Sequence, residues 1–103
     1  MVTLLLKKSY LHKDLKEVKF NDLWNGYGIF STMRVIGRSA KILFYKTHID
    51  NLIKSLNKYN IRKKDLRNNI LKLIKLNLKK NKNYDHLLRV ASNNKIISIS
   101  LRK

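Results

Sequence analysis

Phe30, Thr32 and Arg34 set an aromatic ring, a hydroxyl and a guanidinium two residues apart along the run Gly28-Ile29-Phe30-Ser31-Thr32-Met33-Arg34-Val35-Ile36. If that run is a strand, its period of two places all three on one face. On residue types alone, Phe30 reads as core and Arg34 as a solvated strand residue, because apolar strand residues usually pack. Other catalytic types are sparse. The chain has no Cys, which excludes a thiolate nucleophile, a disulfide scaffold and cysteine-ligated zinc or iron–sulfur sites. His48 sits beside Thr47 at an expected helix start, with no Asp or Ser motif to make it a triad member. His12 and His86 lie far apart with few carboxylates near them, so they read as solvated rather than metal-binding. Trp24 and Tyr27 read as packing residues rather than a stacking platform for bases.

The elements that would position these groups follow from the apolar pattern. Residues 2–6 and 28–36 are rich in apolar and β-branched residues, which favours strands. Gly37-Arg38-Ser39 is a turn signal and Ala40 to Tyr45 a second apolar run, so 28–45 reads as a hairpin. Ile49, Leu52, Ile53 and Leu56 recur at helical spacing, with Thr47 and Asp50 spaced as a capping box, which predicts a helix over 48–59. Leu66, Ile70, Leu73 and Ile74 predict a second helix over about 63–80. Its Lys and Arg residues read as a solvated face. Residues 87–91 and 95–101 then read as strands joined through Ser92-Asn93-Asn94, with Ile97, Ile99 and Leu101 alternating against Ser98, Ser100 and Arg102 on a half-buried strand. The fold class expected is α+β: a two-layer domain with a mainly antiparallel sheet and two helices on one face.

The 103 residues fit one small domain, so a function needing two lobes must recruit another chain. The formal charge of +18 and isoelectric point near 10.4 raise a nucleic-acid-binding reading. Lys, Asn and Ile are all encoded by A/T-rich codons, however, and the lysines are spread along the chain instead of gathered in one arm. No groove-reading motif accompanies them. A small basic domain that binds nucleic acid non-specifically is therefore the alternative reading, with a non-catalytic assembly partner as a third. The apolar run Val2–Leu6 is too short for a signal peptide or a membrane span, so a cytoplasmic protein with no membrane partner is expected.

The stretch Gly26-Tyr27-Gly28-Ile29-Phe30-Ser31-Thr32-Met33-Arg34-Val35-Ile36-Gly37, followed by Leu43 and His48-Ile49-Asp50-Asn51-Leu52, resembles the N-terminal domain of class IV (fold-type IV) pyridoxal-phosphate enzymes. These include branched-chain and D-amino acid aminotransferases. The Phe-Ser-Thr-x-Arg-Val wording is most similar to the aminodeoxychorismate lyase branch. The resemblance covers most of residues 20–101. It implies pyridoxal 5'-phosphate bound between two domains of a homodimer, acting on an amino acid or aminodeoxychorismate-like substrate by pyruvate elimination or transamination. It also implies that Phe30, Thr32 and Arg34 face the substrate pocket, with Arg34 meeting a carboxylate.

Three departures accompany the resemblance. Tyr27 replaces the Asp between the family's glycines, and Asn93-Asn94 replaces an Arg-Gly. Asn51 stands where the family has the Arg implied to hold the cofactor phosphate, losing a bidentate charged contact that Lys54, one turn on, would restore in part. The family's Schiff-base lysine lies in a second domain with no counterpart here, so this chain alone is expected to be catalytically silent. The chain reads as the N-terminal half of a two-domain enzyme, truncated before the lysine-bearing domain.

Overall fold

The computed structural model describes residues 4–24, 28–79 and 82–103. It contains strands β1 (Leu6–Leu11), β2 (Glu17–Val18), β3 (Ile29–Gly37) and β4 (Lys41–Ile42), helices α1 (Tyr45–Lys58) and α2 (Leu66–Asn77), then strands β5 (Tyr84–Ser92) and β6 (Ile96–Arg102). One six-stranded sheet runs in the order β2-β1-β6-β5-β3-β4, and every described pairing is antiparallel. This is the expected two-layer α+β arrangement.

The pairing register explains why one face became the core. Met33 lies opposite Leu88 and Val35 opposite His86, while Leu88 lies opposite Leu101 and Val90 opposite Ile99. Apart from His86 these side chains are apolar and align across adjacent strands, and Ile49, Leu52 and Leu56 of α1 join Ile70, Leu73 and Ile74 of α2 in the same buried cluster. Burial of such side chains supplies most of the drive for closing the two layers, at about 1.5–3 kcal/mol for each large one.

Several local expectations are corrected. The first strand occupies 6–11 instead of 2–6; residues 2 and 3 of that expectation lie outside the described residues. Leu6 now pairs with Leu101, and Tyr10 reaches the core beside Ile97. The second hairpin arm is cut to Lys41–Ile42, because Phe44 adopts a left-handed conformation and α1 begins at Tyr45. No capping box forms. Phe44 is the N-cap and makes no side-chain cap bond, while Asp50 pairs instead with Lys46 and Arg67. The β6 strand is buried on both faces, with Ser98 and Ser100 at 2% and 5% exposure. His86 is buried, not solvated, and His12 is half-buried, with Nε2 bonded to the Ser92 hydroxyl and the Asn93 carbonyl.

Ser98 is buried because residues 19–24 fold over the sheet face that the helices leave open. Ser98 donates to the Asn21 carbonyl, Ser9 lies 2.7 Å from Ser98, and the Asn21 amide donates to Ser9. Leu23 fills a second, smaller core with Ala91 and Ile96. Gly28 makes this approach feasible. A Cβ there would sit 2.9 Å from Leu23 Cβ and 3.1 Å from the Ser92 carbonyl oxygen, closer than packed atoms tolerate.

Candidate functional site: an arginine cavity on the open sheet face

The residues that alternate with the core face the other way. Phe30 lies opposite Ala91, Thr32 opposite Arg89 and Arg34 opposite Leu87; across the next pair Arg89 meets Ser100 and Leu87 meets Arg102. With residues 19–24 folded over one part of this face, the strands form a cavity of about 380 Å³ lined by Thr32, Leu87, Arg89, Ser100, Arg102 and Trp24, with Leu4 and Asp22 at its margin.

Arg89 is the central group. Its guanidinium lies 4.3 Å from the Trp24 ring centroid and 4.6 Å from that of Phe30. The two rings are themselves 5.6 Å apart and tilted by 54°. This places a cation against two aromatic π systems, worth about 0.5–2 kcal/mol at each ring. Nη1 donates to the Asp22 carbonyl. The Asp22 carboxylate accepts from the Trp24 amide at 3.0 Å, which turns the chain so that Trp24 comes over Arg89. Nε and Nη2 of Arg89 are buried and have no protein acceptor. Burial pushes the Arg89 pKa below the usual guanidinium value, opposed by the Asp22 charge, and the group stays cationic at neutral pH.

A charged group with two buried, unmatched donors costs folding free energy, about 1–3 kcal/mol or more per donor. The unmatched pair, Nε and Nη2, is one edge of the guanidinium fork. That edge suits side-on, bidentate pairing with a carboxylate. Thr32 and Ser100 add hydroxyls on the neighbouring strands, and Arg102 adds a second positive charge. The arrangement offers the charge and the paired donors that a small carboxylate accepts from. Trp24, half exposed at 52%, forms its outer wall.

Of the residues singled out in the sequence, Phe30 and Thr32 belong to this site. Phe30 is 48% exposed and stacks on Arg89 instead of entering the core. Arg34 shares their face but is exposed and pairs with Asp85 on β5, outside the cavity lining. Asn51 and Lys54 are exposed on α1, the helix packed on the opposite sheet face, and also stand outside that lining. His48 hydrogen-bonds Ser31 at 3.0 Å, which joins the start of α1 to β3. The glycine pair falls partly on residues 25–27, outside the described residues along with Tyr27. Arg89 escaped sequence reading because it sits among Leu87, Leu88, Val90 and Ala91. The available signal was its alternation against Leu88 and Val90, which turns it out of the core.

Among the described residues no lysine lines the Arg89 cavity, and the two expected phosphate contacts, Asn51 and Lys54, are not gathered around it. Among the described residues no cluster of His, Asp or Glu could hold a metal ion, and no helix is long and apolar enough to cross a membrane.

The fold and cavity define a two-layer α+β domain with an arginine-centred cavity on the sheet face that the helices leave open. Comparison with protein-family models, with curated proteins and with solved structures finds no match to this chain.

Proposed function

We propose that this chain is the substrate-facing domain of a pyridoxal-phosphate enzyme of the class IV kind, similar to aminodeoxychorismate lyase or to an amino acid aminotransferase. Its share of the work is to hold the carboxylate of an amino-acid-like substrate. The observation that carries this reading is Arg89, clamped between Trp24 and Phe30 with Nε and Nη2 unmatched beside Thr32. The sequence resemblance supports the choice of enzyme class and the direction of this face toward substrate. When bound, pyridoxal phosphate supplies an aldehyde that accepts the substrate amine. The lysine and most of the phosphate site belong to a second domain, which docks over the open sheet face in a homodimeric enzyme of the cytoplasm.

Two measurements test this. Calorimetric titration of the chain with pyruvate and 4-aminobenzoate, and with their uncharged amides, should show carboxylate binding that Arg89→Gln weakens by about tenfold or more, as expected for loss of a bidentate charged pair. Equal binding of the amides, or no effect of the substitution, would remove the carboxylate anchor. Class membership is tested on the product of the full reading frame containing these codons. Borohydride reduction with pyridoxal phosphate should trap a pyridoxyl-lysine on it, and absence of that adduct would overturn the enzyme reading while leaving the anion site standing.

A further inference from the structure

We propose that a second concave site, formed by the turn after β1, the segment entering α2 and the β5–β6 turn, binds a small anion carrying two or more linked phosphates. This cleft encloses about 520 Å³ and shares no lining residue with the Arg89 cavity. Four of its lining residues are Lys13, Lys63, Lys64 and Lys95, with Asp65 the one carboxylate among them. The inference does not depend on the pyridoxal-phosphate reading.

Three sequence-distant segments bring these ammonium groups together, so the clustering is a property of the fold and not of a basic stretch. Like charges held around one concavity repel, and opposite charges nearby would normally relieve them. The ion pairs among the described residues engage Lys8, Arg34, Lys46 and Arg67, and none involves these four lysines. One carboxylate against four ammoniums leaves an excess of three positive charges. That excess matches a diphosphate near neutral pH better than a singly or doubly charged orthophosphate, and the volume exceeds what one phosphate fills. Lysine is a point-charge donor suited to phosphate oxygens.

The rest of the cleft is built to the same end. The His12 ring is fixed by Nε2 against the Ser92 hydroxyl and the Asn93 carbonyl, 3.0 and 2.9 Å away. This ties the β1 turn to the β5–β6 turn and holds Lys13 and Lys95 on one rim. The Asn93 carboxamide Oδ1 accepts from the Lys95 and Ile96 amides, fixing the backbone of that turn. Asn69 and Asn94 contribute carboxamides to the lining. The 12-residue helix α2 starts here, and its N-cap Asp65 makes no side-chain cap bond, so the positive end of the helix adds to the lysine field.

The test compares two charge-matched double variants of the chain, titrated with pyrophosphate, ADP, orthophosphate and a single-stranded oligonucleotide. Lys63→Glu with Lys95→Glu alters the cleft. Lys41→Glu with Lys72→Glu makes the same charge change on residues outside it. Pyrophosphate and ADP should bind the parent chain. The cleft variant should lose about tenfold or more in affinity and the outer variant about twofold or less. Equal losses in both would show diffuse charge and overturn the site. Orthophosphate binding as tight as pyrophosphate would overturn the linked-phosphate requirement, and oligonucleotide binding that displaces ADP would reassign the cleft to nucleic acid. Circular dichroism checks folding, and if the Glu variant unfolds, Lys13→Gln with Lys95→Gln replaces exposed residues and carries the same expectation.

Discussion

The two faces of one sheet, built from alternate residues of the same strands, obey different rules. On the helix-covered face Met33, Val35, Leu88, Val90, Ile99 and Leu101 are at most 3% exposed and belong to one apolar cluster with the helices. On the open face Phe30, Thr32 and Arg89 leave aromatic surface uncovered and guanidinium donors unmatched. A protein selected for stability alone would have no reason to keep Arg89 so placed. The contrast assigns stability to one face and recognition to the other, and each assignment can be broken separately.

The largest effect belongs to the covered face. Leu88→Ala removes a fully buried side chain lying between Met33 and Leu101. Urea unfolding should show a loss of about 2–5 kcal/mol, a large part of the roughly 5–15 kcal/mol typical of a domain. Gly28→Ala comes next. Its Cβ would press on Leu23 and the Ser92 carbonyl, lifting the segment that carries Asp22 and Trp24. A stability loss of about 1–3 kcal/mol should accompany weaker carboxylate binding at Arg89. Normal binding in this variant would show that residues 19–24 do not shape the cavity.

Acid should weaken the covered face through His86. It is buried, and its Nδ1 accepts the Asp85 amide at 2.9 Å. Burial pushes its pKa below the ordinary 6.5, Lys82 and Lys103 push the same way, and Asp85 opposes them. His12 is lowered as well, by burial first and by Lys63 in part, against its carbonyl contacts. Below pH 6.5 the unfolded chain therefore takes up protons that the native one refuses. Stability is full above that value and declines as pH falls toward the native pKa values. The urea midpoint should drop across that window, less steeply in His86→Gln.

On the open face, stability should respond little. Arg89→Met deletes a charge with unmatched donors while keeping a chain that can pack against Trp24, so the unfolding free energy should stay within about 1 kcal/mol of the parent or rise. A fall as large as that of Leu88→Ala would make Arg89 a structural residue. The smallest effect is expected at Glu17→Gln, which removes an exposed pair with Lys8 at 3.1 Å and should cost less than about 1 kcal/mol.

Much of this arrangement was legible in the sequence. Both helices and the strands β3, β5 and β6 follow from period-3.6 and period-two apolar patterns, and the order of the elements supports the two-layer α+β class. The shift of β1 to 6–11 was hidden because Lys7 and Lys8 interrupt the apolar run, while Ser9 and Tyr10 are buried by partners distant in sequence. The capping-box spacing of Thr47 and Asp50 was overridden when Asp50 found Lys46 and Arg67. Alternation set Phe30 and Thr32 on one face, and the family resemblance pointed that face toward a pocket. Arg89 required the pairing of β3 with β5, and the lysine-lined cleft required four lysines from three separate segments to meet, which no local pattern encodes.

The central claim is that the open face, through Arg89, receives a carboxylate. Backbone and indole amide shifts of the chain, mapped by NMR during titration with pyruvate, test it most directly. The account predicts saturable shifts at Thr32, Arg89, Ser100 and the Trp24 indole, with α1 and α2 unmoved. Shifts centred on the helices, or none on the open face at saturating pyruvate, would contradict it.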